Sequence, residues 1–154
     1  EPSTSSSTSN GLGGTGTTQT YYGAYIRLAN STKSPTLKCK NNEDMYTVSG
    51  SSRGNKALTN PVGLITADEV AMAGGVYGQT NESYYLYTNS AYWTMSPCSF
   101  NAANSYAGVF FVVSDGIPGN ANVNGTIGVR PVINLASNVT IRSGNGTSST
   151  PYEI

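Results

Sequence analysis

Apolar residues in this chain fall into short runs separated by long polar stretches, and the runs set the expected elements. Aromatic and β-branched content, with alternation, predicts strands at Tyr21–Leu28, Asp44–Val48, Tyr84–Tyr87, Tyr92–Met95, Val109–Val113, Gly128–Leu135 and Val139–Ile141. Val109–Val113 is the most apolar run and reads as a central strand. Pro97 is expected to stop the strand before it, and Pro131 marks an edge or a bulge. Trp93, the sole tryptophan, is expected to anchor the core. Between the runs, Asn-, Ser- and Gly-rich segments read as loops, including Val76–Ser83, Asn101–Ser105 and Asn120–Gly125.

One stretch departs from the strand pattern. Thr66 followed three residues later by Glu69 is a capping box, and Gly74-Gly75 supplies a left-handed stop. Val70 and Ala73 share a face between these signals, so a short helix is expected over about 66–73. Asp68 and Glu69 fall in its first turn, where carboxylates favour the helix dipole. The sum is an α+β domain dominated by short antiparallel strands. Residues 1–20, Ser/Thr/Gly-rich with one leucine, read as a flexible linker, and 21–154 as a single domain.

Composition narrows the function. Only 10% of residues are charged, the formal net charge is zero and histidine is absent. Nucleic acid is therefore not an expected partner, because no basic stripe neutralises phosphates. Histidine-based catalysis and the commonest metal ligand go with it. In their place stand eleven tyrosines among Ser, Thr, Asn and Gly, a mix typical of adaptable binding loops. No run reaches the eighteen apolar residues of a membrane helix, so this domain is expected to make no membrane contact itself. The composition suits an extracellular, cell-surface location, with any anchor upstream of Glu1. Cys39 and Cys98 are expected to form a disulfide, worth about 4 kcal/mol in the chain-entropy model. Two buried thiols are the alternative.

The ordered set Leu64-Ile65-Thr66-Ala67-Asp68-Glu69-Val70-Ala71-Met72-Ala73-Gly74-Gly75, Tyr92-Trp93-Thr94-Met95-Ser96-Pro97 and Gly128-Val129-Arg130-Pro131-Val132-Ile133-Asn134-Leu135 resembles an uncharacterised domain of Gram-positive bacterial surface and type IV pilin-like proteins. The ending Gly144-Asn145-Gly146-Thr147 with Pro151-Tyr152-Glu153-Ile154 is similar to theirs, and the resemblance spans roughly 21–154. More remotely, Leu64, Thr66, Glu69, Gly74, Gly75 and Arg130 are similar to motif positions of sulfatase-modifying proteins. That likeness implies a C-type-lectin-like fold. Ile65 stands where that family has proline, and its catalytic cysteine pair has no counterpart here.

Candidate chemistry follows. Asp68 and Glu69 are neighbours on one helix, so their side chains diverge by about 100° and form no acid/base pair. Ser96-Pro97-Cys98 is no nucleophile elbow, and no general base stands by it. No catalytic residue, metal site or cofactor is expected. Thr66, Glu69, Gly74, Gly75, Trp93 and Arg130 are assigned structural roles. The candidate ligand contacts are Tyr84, Tyr85, Tyr87, Asn101, Asn104, Tyr106, Asn120, Asn122 and Asn124, on loops expected to emerge together around Val109–Val113. In lectin-like relatives this region carries ligand contacts, including the hypervariable proteins of diversity-generating retroelements. The resemblance thus implies an adhesion module for a protein or glycan ligand on a host or neighbouring cell. A structural minor-pilin head contacting other pilin subunits is the alternative, and a sulfatase-modifying-type enzyme a more distant one.

Overall fold

A computed structural model describes residues 20–29, 33–38, 47–50, 56–101, 104–147 and 149–154. The elements are β1 (Thr20–Tyr21), α1 (Gly23–Leu28), β2 (Gly63–Leu64), α2 (Ala67–Met72), β3 (Tyr92–Asn101), β4 (Tyr106–Val112), β5 (Pro118–Asn122) and β6 (Pro131–Val132). Four strands form an antiparallel sheet in the order β1-β3-β4-β5, and β2 pairs with β6 in a second, two-stranded one. The chain is therefore a small α+β domain, mostly of antiparallel strands.

Both helices cover one face of the larger sheet. α2 is held at its start by partners for the backbone donors of Ala67 and Glu69 and of the cap residue Thr66. Glu69 N–H donates to Thr66 Oγ1 at 3.1 Å, and Thr66 N–H donates back to the Glu69 carboxylate at 2.8 Å. Ala67 N–H reaches across to Ser96 Oγ on β3 at 2.9 Å, which ties the helix start to the sheet. Gly74, at φ +114°, then takes the chain out of the helix.

Residues 21–28 are a corrected expectation: after two strand residues the chain turns helical. Ala24 and Leu28, four apart, are the buried pair, and Tyr21 stacks on Tyr25 with ring centroids 4.5 Å apart. That is a period of 3.6, hidden in the sequence by β-favouring tyrosines. Thr20, assigned to the linker, is fully buried in β1, whereas residues 1–19 lie outside the described residues.

The core forms two clusters on the helix side of the sheet. Ala24, Leu28, Ala67, Cys98 and Phe110 make one; Ile65, Val70, Tyr84, Tyr92 and Val112 make the other. Trp93 is not among them. Strand alternation points Tyr92 at the helices, so Trp93 lies half-buried on the opposite face against Phe111. Cys98 is a free thiol, fully buried beside Phe110, and not half of a disulfide. Cys39 lies outside the described residues.

Other boundaries move as well. β3 runs through Pro97, which the sheet accommodates because register shifts flank it and its ring faces solvent. Tyr84–Tyr87 form a turn, closed by Tyr87 N–H on the Tyr84 carbonyl, and not a strand. Thr47–Gly50 is likewise a turn, while Asp44–Tyr46 fall outside the described residues. Asn120 and Asn122, expected in a loop, belong to β5. Only Pro131–Val132 of Gly128–Leu135 pairs as a strand, and Val139–Ile141 does not pair. The segment from Arg142 to Glu153 closes on itself through bridges at Ser143–Glu153 and Thr147–Thr150.

Candidate functional site

Register places the candidate residues at two separate ends of the larger sheet. Asn101 ends β3 opposite Tyr106, and Asn122 pairs with Gly108. Asn104 lies in the exposed β3–β4 connection, where Ser105 adopts φ 49°. Asn124 lies in the exposed turn after β5, and Val123 N–H binds the Ala107 carbonyl at 2.9 Å. Asn101, Asn104, Tyr106, Asn122 and Asn124 therefore share one end.

Tyr84, Tyr85 and Tyr87 sit at the other end, about 20 Å away along seven-residue β4. The expectation that they join the asparagines fails for a packing reason. Tyr84 is buried with Tyr92 and Val112 at the start of β3 and the end of β4. Its pKa is raised, first by burial and then by the adjacent Tyr92 phenol. Tyr85 is 76% exposed. Arg130 closes this end by lying over the Tyr92 ring, 5.3 Å from its centroid, and donating Nη1–H to the Leu86 carbonyl at 2.7 Å.

The asparagine end has an ordered interior. Asn120 donates from Nδ2 to the Tyr106 hydroxyl at 2.7 Å and accepts at Oδ1 from the Tyr77 hydroxyl at 2.9 Å. Gly108 makes room for the Tyr106 ring: a Cβ there would stand 2.6 Å from Tyr106 Cε1. Asn122 Oδ1 accepts from Ala107 N–H at 3.3 Å, which fixes the start of the hairpin. Tyr77 is pushed up to about 12, chiefly by burial, and Tyr106 is also raised by burial, with the Asn120 hydrogen bond opposing.

Tyr77 was invisible as a site residue because it sits in a polar loop. In the structure its ring meets Phe110 and Tyr25 edge-on, at 5.8 and 6.1 Å between centroids. Lys33 Nζ lies 5.7 Å from its centroid.

Other chemistry is sparse. Burial raises the Cys98 thiol to about 11, against a partial lowering by Ser99. Among the described residues, no group of three or more His, Cys, Asp or Glu comes together, and no helix is long and apolar enough to cross a membrane. An ion pair joins Arg27 to Asp68. Comparison with family models, with curated proteins and with solved structures finds no match for this chain. The chain is a small α+β domain with an uncharged, Asn- and Tyr-rich sheet end.

Proposed function

We propose that this chain is an extracellular binding or adhesion module of a bacterial surface protein, with a C-type-lectin-like fold and no catalytic role. The observation that carries the reading is the gathering of Asn101, Asn104, Tyr106, Asn122 and Asn124 at one sheet end. Asp115, in the turn at the far end of the β4–β5 hairpin, is the sole charged residue between Trp93 and Val129. Such a surface offers amide and phenol hydrogen bonds with little charge, which suits a neutral glycan or an uncharged peptide loop. The buried Cys98, with its raised pKa, gives a thiol-based oxidase no accessible thiolate.

The test is binding of the 154-residue chain to a neutral-glycan array and to intact cells. Asn104→Ala with Asn124→Ala is expected to weaken binding about tenfold while stability stays within about 0.5 kcal/mol. Tyr85→Ala, at the other end, is expected to bind as the parent does. Raising salt leaves binding unchanged, because few charges are involved. Binding lost in Tyr85→Ala and kept in the asparagine pair would overturn the reading.

A second reading has its own support. Ile133, Leu135, Val139, Ile141, Tyr152 and Ile154 are each between 39% and 65% exposed within the last 22 residues. So concentrated an apolar stretch suits a subunit that packs against others, as a pilin head would. Concentration-dependent association in sedimentation, lost in Leu135→Lys, is the outcome expected of that reading.

A further inference from the structure

A cavity of about 100 Å³ opens between the helices and the sheet. Its walls come from five places in the chain: Leu28 at the end of α1, Ala67 and Ala71 on α2, Val76 in the loop after α2, Phe110 on β4 and Pro118 on β5. The space exists because two alanines face the sheet where larger residues would fill it. It is a poor home for water, since a buried water needs two to four polar partners. The Tyr77 hydroxyl, the polar group of that wall, is already bound to Asn120.

The mouth differs from the walls. Lys33 lines it with its ammonium over the Tyr77 ring, and no carboxylate of the described residues pairs with that ammonium. Lys33 also holds φ 43°, a left-handed conformation that a residue with a Cβ adopts rarely. Neighbouring contacts impose it. Ser34 N–H donates to the Arg27 carbonyl at 2.9 Å, and Thr36 N–H donates to Asp68 Oδ1 at 2.9 Å. Asp68 is itself gripped by Arg27 through Nε at 3.0 Å and Nη2 at 2.7 Å. A cation on a strained backbone is thus fixed at the mouth of a preformed apolar pocket.

We propose that this cavity binds a short branched aliphatic carboxylate, its alkyl group inside and its carboxylate on Lys33. Size sets the alkyl group: an apolar cavity of about 150 Å³ accepts benzene, so one of 100 Å³ takes an isopropyl or isobutyl group and rejects a phenyl ring. Charge sets the head group, because Asp68 is committed to Arg27 and no carboxylate among the described residues pairs with Lys33. The site goes beyond the asparagine end and stands or falls without it.

An NMR titration of the 154-residue chain at low salt, with 3-methylbutanoate, 3-methylbutanamide and phenylacetate, decides the matter. The acid is expected to shift Tyr77, Phe110 and Ala71 resonances with a Kd of about 1 mM. The amide on the parent chain, and the acid on Lys33→Gln, are each expected to bind about fivefold more weakly. Phenylacetate, and the acid on Ala71→Leu, are expected not to bind. Lys33 is exposed, so Lys33→Gln keeps the fold and carries the test even where Ala71→Leu does not. Equal affinity for acid and amide, an unaltered Kd in Lys33→Gln, shifts confined to other regions, or no saturation at roughly tens of millimolar would each overturn the proposal.

Discussion

Removing the Asp68 carboxylate tests how the two helices and the loop after Lys33 are held. Asp68→Ala deletes three hydrogen bonds at once, two from the Arg27 guanidinium and one from Thr36 N–H. The Asp68 side chain is 7% exposed and the Arg27 side chain 34%. Breaking a buried ion pair by deleting one partner costs about 3–5 kcal/mol. Arg27 regains some water when freed, which places Asp68→Ala near the low end, at about 3 kcal/mol. Arg27→Met leaves the more buried group unpaired, with only Thr36 N–H to satisfy it, and is expected to cost about 4 kcal/mol. For a domain of this size each kcal/mol lowers Tm by about 3–4 °C, so drops of roughly 10 and 14 °C are expected.

Chemical denaturation with both single variants and Arg27→Met/Asp68→Leu completes a double-mutant cycle. The double variant is expected to recover at least half of the loss, because an apolar pair of similar volume leaves no charge buried. The effect should persist at high salt, since the pair is shielded from solvent. Single-variant losses below about 1 kcal/mol, with no recovery in the double variant, are what an ordinary surface pair gives. That result would refute the argument that this pair pins α1, α2 and residues 33–36 together.

Two further outcomes are expected. Thr66→Ala and Glu69→Ala each remove half of the α2 capping box and should each cost about 1 kcal/mol in denaturant unfolding, with binding at the asparagine end unchanged. Cys98 should resist iodoacetamide in the native state at pH 8 and react on unfolding. Its raised pKa makes stability fully present below the unfolded thiol value, near 8.5, and progressively lost as pH rises toward about 11. The folded state holds its proton longer there, so slope and sign follow from linkage. Cys98→Ala should flatten that part of the alkaline stability curve, and fast labelling of the native protein would contradict the burial.

What was legible in the sequence follows physical lines. α2 was readable because its signals are local: cap, box partner and double glycine lie within ten residues of one another. Val109–Val113 was readable because a strand central to its sheet is apolar, and β4 lies between β3 and β5. α1 was not, because tyrosine favours strands while the burial of Ala24 and Leu28 decides the element. Tyr84–Tyr87 failed for the converse reason, since Tyr92 and Arg130 both bind the Leu86 carbonyl and bend that segment into a turn. Local composition found Asn104 and Asn124, but grouping them with Tyr85 required strand register, which the sequence does not display. Lys33 and Tyr77 carry no sequence signal at all, because their pairing joins two loops through a cavity formed by other elements.

The two candidate sites meet at Asn120. In the structure its carbonyl oxygen takes the Tyr77 proton and its amino group donates to the Tyr106 oxygen. That fixes a direction along the row. The Tyr77 hydroxyl is used as a donor, and the Tyr106 hydroxyl accepts while keeping its own proton for another partner. The Tyr106 hydroxyl itself lies back over Gly108, where a Cβ would stand 3.0 Å from it. At the other end of the row, the Lys33 ammonium above the Tyr77 ring favours electron density on that ring. An anion drawing Lys33 away would weaken that contact and loosen the first link. On the two proposals, any coupling along this row would be reciprocal: occupancy of the cavity and of the sheet end would alter each other's affinity by the same factor. The short path Tyr77–Asn120–Tyr106, and not the helix that the sequence advertises most plainly, is what would link the two proposed sites.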